Sequence, residues 1–311
     1  MSVLICGSLA FDTIMVFPDR FREHILPDKL HMLNVAFLVP EMRREFGGTA
    51  GNIAYNLQGL GGDARIMATV GDDFGPYRER LQTLGLATGH VRHVEGTYTA
   101  QAFITTDLDD NQITAFHPGA MNFSHQNSVN DAEGIQLAVI APDGRDGMFR
   151  HARELTEAGI PFMFDPGQGL PMFNGEELMQ FISDADYLAV NDYEAQLLQQ
   201  KTGQTLESLA REVKALIVTL GGKGSQIHTG GGVVEIPPVA PHAVVDPTGC
   251  GDAYRAGLLY GLVNGMDWET TGRLASLLGS LKIAQRGAQN HAVVRSDIEV
   301  AFREAFGRSM N

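Results

Sequence analysis

The sequence predicts an α/β protein built on a mostly parallel central sheet with helices on both faces. Short apolar runs at residues 137–140, 162–165, 188–190 and 216–219 alternate with helical patterns near 144–158, 175–182 and 192–213, the order in which βα units are laid down. A second observation is the stretch 244–265, VVDPTGCGDAYRAGLLYGLVNG, in which a β-type run ends at Val245, a Pro/Gly turn follows, and small and apolar residues then take helical spacing. The third is that no Pro/Gly/Ser-rich linker, internal repeat or low-complexity tract interrupts the chain, so one domain over residues 1–311 is expected.

Composition narrows the partners. Hydrophobic residues make up 44% of the chain and charged residues 19%, the balance of a globular protein. A net charge of -14 argues against nucleic acid or an anionic membrane as partner. Two cysteines, Cys6 and Cys250, give no disulfide framework and point to a reducing, cytoplasmic setting. MSVLICGSLAFD lacks a basic leader and reads as a first strand, and no window is apolar for long enough to span a membrane.

Along the chain, residues 3–6 form an apolar run that opens at Gly7 and Ser8, and Asp12 follows where ligands gather in α/β sheets. Spacing alone favours reading Asp12 as a solvated loop acid. Pro18, Pro27 and Pro40 break up residues 17–46, with 35–39 strand-like. FGGTAGN, 46–52, places adjacent glycines before a helix, a plain turn or a hinge. Residues 65–70 and 91–94 read as strands around a helix at 77–84, while 98–106 and 112–116 alternate about DLDD as a hairpin. Asn191 and Glu194 open a helix as N-D-Y-E, an ordinary cap when taken alone. Further helices are expected near 268–286 and 296–306.

The candidate site is the turn before the helix at 252. Gly249 and Gly251 let the backbone bend so that several N–H groups converge at the positive end of a helix, which is an anion site and above all a phosphate site. Asp252 stands directly beside it. A carboxylate there repels the anion unless it has a task, and taking a proton from an attacking hydroxyl is such a task. The alternative is a helix-capping Asp. Other chemistries lack their patterns: TLGGKGS has Ile217 where a P-loop needs Gly, no GxGxxG occurs, and the ten histidines form no HxxxH or HExxH pair. Cys250 has no base recognisably beside it and reads as a small packing residue. His117 and His291 are expected to be structural.

DPTGCGDAYRAG resembles the second signature of the ribokinase-like (PfkB) sugar and nucleoside kinases, DTxGAGDxFxAG. Asp246, Gly249, Gly251, Asp252 and Gly257 match, while Pro247 and Cys250 depart from the commonest residues. The resemblance implies a ribokinase-like fold with a small β-sheet lid formed by about 13–46 and 97–118. It also implies ATP and Mg²⁺ as cofactors and Asp252 as catalytic base, with the Gly249, Cys250 and Gly251 amides as anion hole. By the same resemblance Ser8, Asp12, Gly47, Gly48 and Asn52 hold the sugar, Asn191 and Glu194 order the Mg²⁺–water shell, and Thr219, Gly221 and Gly224 contact the nucleotide. The segment RGAQNHAV, 286–293, lies where relatives bind a monovalent cation, so K⁺ is a further possible cofactor.

Within the family, the spacing of 35 residues from Asp12 to Gly47, the stretch FREHILPDKLHMLNVAFLV and FHPGAM at 116–121 resemble bacterial adenosine kinases. That likeness implies a nucleoside 5′-kinase of purine salvage, monomeric or homodimeric, with Phe103 and Phe116 stacked on the base and Gln168 as a polar contact to it. Phe103 and Phe116 read equally well as lid core. Gly169 replaces a second polar contact, and Ala36 another polar residue, which leaves the choice among purine nucleosides open. The rival readings are a sugar or sugar-phosphate kinase of the same family and a non-catalytic nucleoside-binding protein.

Overall fold

A computed structural model describes residues 2–25, 34–109 and 111–310. The β1 strand (Ser2–Cys6) lies inside a sheet that, among the described residues, has nine strands. On one side of β1 stand β4 (Asp63–Val70) and then β5 (Ala87–His93). On the other come β8 (Ile135–Ile140), β9 (Phe162–Phe164), β10 (Tyr187–Asn191) and β11 (Ala215–Thr219), all parallel to β1. An antiparallel hairpin, β12 (Ser225–Thr229) and β13 (Gly232–Ile236), closes that edge.

Alternation along β1 separates two cores. Val3 and Ile5 pack with α2 (Thr49–Gly59), α3 (Gly75–Thr83), α8 (Cys250–Val263), α9 (Trp268–Ile283) and α10 (Arg295–Phe306). Leu4 and Cys6 pack on the other face with α4 (Arg145–Ala158), α5 (Gly175–Asp184), α6 (Asp192–Thr202) and α7 (Leu206–Glu212). This is the expected arrangement of a mostly parallel sheet with helices on both faces. Period-two strands bury both faces when helices cover both.

The smaller sheet has the order β3 (Glu41–Gly47), β2 (Ala10–Val16), β6 (Ala100–Thr106), β7 (Gln112–His117). Only three residues separate β1 from β2, so Asp12 on β2 is placed by the first strand of the large sheet.

Several expectations fail locally. Residues 34–39 are not a strand; Phe37 instead packs on Phe17 and on Phe21 of the single-turn α1 (Phe21–His24), with ring centroids 4.8 and 5.0 Å apart. No strand precedes Val245 either. Val244 and Val245 are exposed, and the Val245 and Asp246 N–H groups both donate to Ile283 O, so this run hangs on the end of α9 and not on a sheet edge. The helix expected over 192–213 breaks into α6 and α7 at Gly203, whose φ is 69°. Part of the stretch that resembles adenosine kinases, residues 26–33, lies outside the described residues.

Candidate active site

The parallel strands deliver their carboxyl ends to one edge of the large sheet, and the singled-out residues line that edge. Asp12 follows β1, Asn191 ends β10 and Thr219 ends β11. Opposite them α8 starts at Gly249, which adopts φ 80° as the residue before the helix. A Cβ at Gly249 would lie 2.7 Å from the Ala288 side chain, so the turn admits no larger residue, whereas one at Gly251 would meet nothing and that residue faces outward. The first N–H groups of a helix have no intrahelical acceptor. Of the expected anion-hole donors, Cys250 N–H is turned onto Pro247 O at 3.2 Å, which leaves the outward-facing Gly251 as the freer one.

Asp252 sits on the first turn of α8 and is partly buried. Asn52 of α2 donates its Nδ2 to Asp252 Oδ2 at 2.8 Å. Burial first, and then the charges of Asp165 and Asp12, push the Asp252 carboxyl up to about 7, against the Asn52 hydrogen bond and the Arg255 charge, which pull it down. A carboxylate that gives up and regains its proton near neutrality suits a general base. The capping alternative loses its support: Gly249 is the cap residue, and Asp252 receives its bond from a side chain on another helix.

Asn52 is held in turn. Its Oδ1 accepts from Gln289 Nε2 at 3.0 Å, the same Nε2 donates to Tyr77 Oη at 2.7 Å, and Tyr77 Oη donates to Gly47 O at 2.7 Å. The Gly-Gly turn and the base are therefore joined by one buried chain of polar groups. Gly47 admits no side chain, because a Cβ would run into the Asp12 carboxylate, and Gly48 has φ 85° with its Cβ position against Ser8 O and Ala10 N. Asp12 is pushed up to about 6 by burial and by the neighbouring Asp246 and Glu45. Ser8 is drawn into structure: its Oγ accepts Thr49 N–H at 3.2 Å.

At the start of α6, Asn191 and Glu194 form the reciprocal cap that their spacing allows. Glu194 N–H donates to Asn191 Oδ1 and Asn191 N–H to Glu194 Oε2, both at 2.8 Å. Glu194 is raised by burial, with the Asp165 charge adding to that. Thr219 is half-buried, Gly221 (φ 57°) opens outward, and Gly224 (φ 94°) is forced to be glycine by Ile236 O. Among the described residues no group of three His, Cys, Asp or Glu forms a metal cage.

The two lid phenylalanines do not share a face. Ala102 opposes Phe116 and Phe103 opposes Ala115 across β6 and β7, and successive residues of a strand point to opposite sides. Asp12 pairs with Ala102 on the parallel neighbour, so Phe116 is on the Asp12 face and Phe103 on the reverse. Phe116 is 51% exposed and Phe103 39%. A sandwich of one ring by this pair is therefore not formed; Phe116 alone stands on the site side. Gln168 is exposed on the short turn after β9.

Arg255, whose charge acts on Asp252, and Tyr77 and Gln289, which hold Asn52, went unnoticed in the sequence. Arg255, one turn beyond Asp252, is buried and makes two bonds to Asp165, Nε to Oδ2 at 3.1 Å and Nη2 to Oδ1 at 3.2 Å. Its third nitrogen, Nη1, is buried without a partner. Arg255 feels the charges of Asp165, Glu194 and Asp252, so it is the cation among these acids. The fourfold set Asn52, Tyr77, Gln289 and Gly47 likewise joins residues more than 200 positions apart.

A carboxyl raised to near neutrality stands beside an open helix start, on an edge reached by a second sheet, and the relatives make the chain an ATP-dependent phosphotransferase that acts on a hydroxyl group. Residues 9–294 match the pfkB family carbohydrate kinases, and the chain belongs to that family. It is 32% identical over 261 residues to the nucleoside kinase of Methanocaldococcus jannaschii, covering 83% of this chain and 85% of that one. The structure of Burkholderia thailandensis nucleoside kinase in complex with inosine superposes with a TM-score of 0.91 at 55% identity over 99% of both chains. The same kinase with ADP-inosine gives 0.89 at 57% identity, over 99% of this chain and 97% of that one.

Proposed function

We propose that this protein is an ATP-dependent nucleoside 5′-kinase, with adenosine and other purine nucleosides such as inosine as acceptors. The observation that carries the reading is Asp252, raised to about 7 and aimed by Asn52 at the mouth of α8. Relatives bearing the name nucleoside kinase, one of them bound to inosine and ADP-inosine, supply the acceptor class. Asp252 takes the proton from the ribose 5′-hydroxyl as its oxygen bonds to the γ-phosphorus. The bond from that phosphorus to the β,γ-bridging oxygen breaks and ADP leaves. The outward-facing Gly251 N–H, with that of Gly249, stabilises charge on the transferring group, about 3 kcal/mol for one such donor.

Asp12 accepts hydrogen bonds from the ribose hydroxyls, and Gly47 and Gly48 let the sugar approach the backbone. Phe116 supplies one stacking face for the base, worth about 1–3 kcal/mol, and Gln168 a polar edge contact. Thr219, Gly221 and Gly224 border the nucleotide. Asn191 and Glu194, whose side chains are largely engaged with each other's backbone, would hold an ion through water. Mg²⁺ bound with ATP would offset the phosphate charge there. The smaller sheet acts as a lid that excludes water, and the two free cysteines suit the reducing cytoplasm.

A panel of adenosine, inosine, guanosine, ribose and fructose 6-phosphate with MgATP tests this, read as ADP release and as formation of the 5′-monophosphate. Nucleosides are expected to turn over well above the sugars. Sugar turnover without nucleoside turnover would replace the reading with a sugar kinase, and no ADP release with any nucleoside, in spite of binding, with a non-catalytic binder.

A further inference from the structure

Lys282, on the last turn of α9, is fully buried, and its Nζ donates to Asp246 O at 2.8 Å and to Gln285 O at 3.0 Å. These carbonyls belong to the two segments that border the start of α8: the turn 246–249 leading into it and the turn 284–288 beyond α9. Asp246 joins the same segments, with Oδ2 accepting Gly287 N–H and Oδ1 accepting Thr248 N–H, each at 2.9 Å. The Gly249 Cβ position is 3.7 Å from Lys282 Cε, so the lysine stem runs beneath the residue that starts the anion hole.

Carbonyl oxygens converging in a buried place call for a cation, because unpaired they are costly. The chain meets that need with its own ammonium. A free monovalent cation at this junction, as the resemblance implied for 286–293, would have to displace the Lys282 ammonium from the Asp246 and Gln285 carbonyls, while the Asp246 carboxylate oxygens accept Thr248 and Gly287 N–H.

We propose that Lys282 is a positioning residue that replaces a bound monovalent cation, fixing the turn before α8 and holding a positive charge behind the anion hole, so that turnover needs no K⁺. The proposal rests on the nucleoside kinase reading only for its choice of acceptor.

The first test uses the wild-type protein with inosine and MgATP in tetramethylammonium, sodium or potassium chloride at equal ionic strength. Rates are expected to agree within about twofold, since the Lys282 ammonium already stands in the ion's place. Activation by K⁺ of about fivefold or more would overturn the proposal. If nucleosides do not turn over but another alcohol does, the nucleoside reading has failed, and the same salt series on that alcohol decides this one.

The second test is Lys282→Ala, with its fold checked by circular dichroism. Its kcat should fall about tenfold or more while the KM values for ATP and inosine stay within about threefold, because the charge acts on the transferring group. Ammonium or ethylammonium should restore part of the rate and tetramethylammonium none. A lower melting temperature with equal residual rates in every salt would mark a purely structural lysine and overturn the proposal. Should the variant not fold, the wild-type salt series decides.

Discussion

At the scale of single residues, Asp252 is pulled in two directions, and the balance sets its chemistry. Burial and the Asp165 and Asp12 charges favour the neutral acid, while Asn52 and Arg255 favour the carboxylate. Since the base must be ionised to act, kcat/KM should drop about tenfold per pH unit below about 7 and level off above it. Asn52→Ala removes the bond that lowers this group, so the acid limb should move up, by about one unit if the bond has the usual strength of one to a charge. A pH–rate profile unchanged in that variant would detach Asn52 from the base. The same residue governs stability with the opposite sign. The folded state holds the Asp252 proton to about 7 and the unfolded chain releases it near 3.8, so this contribution is fully present below 3.8 and is lost as pH rises through 7. Asp252→Asn, which cannot ionise, should therefore melt higher than wild type at pH 8 and converge on it in acid. It should also lose at least about 10²-fold in rate, so that one variant gains stability and loses function.

At the scale of elements, α8 is the piece that places the base, and it does so by close contact with α9. A Cβ on Gly257 would lie 2.5 Å from Ala275 Cα, and one on Gly261 would strike Thr271. Gly257→Val must therefore drive the helices apart. It should cost about 3 kcal/mol or more, the upper range for overpacking, and denaturant melts measure it directly; a loss under about 1 kcal/mol would mean that the pair slides freely.

The small-residue face of α8 was visible in the sequence, as were the parallel strands, because continuous apolar runs such as LIVT have only one environment that suits them. The β12–β13 hairpin was not visible. SQIHT and GVVEI mix polar and apolar residues at a sheet edge, where one side is wet and the alternation is weak. The opposite error occurred at Val244 and Val245, which carry strand-forming side chains but find no strand to pair with. In the site, the glycines and acids were legible because local backbone geometry demands those residue types. Arg255, Asp165, Gln289 and Lys282 were not, because each takes its meaning from partners that only the fold brings near, such as Asn52 at a separation of 237 residues from Gln289.

For the whole molecule, the site is divided between two bodies of structure. Asp12 and Phe116 belong to the smaller sheet, Thr219 to the far half of the larger one with Gly221 and Gly224 in the turn after it, and Asp252 to the first turn of α8. The smaller sheet is tied down mainly at its base, where Arg44 and Gln101 reach Asp73 at 3.2 and 2.9 Å and Glu45 reaches Asn290 at 2.9 Å. Its distal strand β7 is exposed along its whole length. A nucleoside bound to Asp12 would add contacts where the protein itself has few, so binding should order β2, β6 and β7. Hydrogen–deuterium exchange is the fitting measurement, because it resolves opening element by element. Inosine alone should slow exchange in β2, β6 and β7 and leave the 219–224 turn unchanged, whereas ADP alone should protect that turn and the first turn of α8. At 100 times its Kd, inosine should also raise the unfolding free energy by about 2.7 kcal/mol. Protection by inosine at 219–224 with none in the smaller sheet would reverse the assignment of the two halves. Asp12 would then no longer be the residue that holds the acceptor.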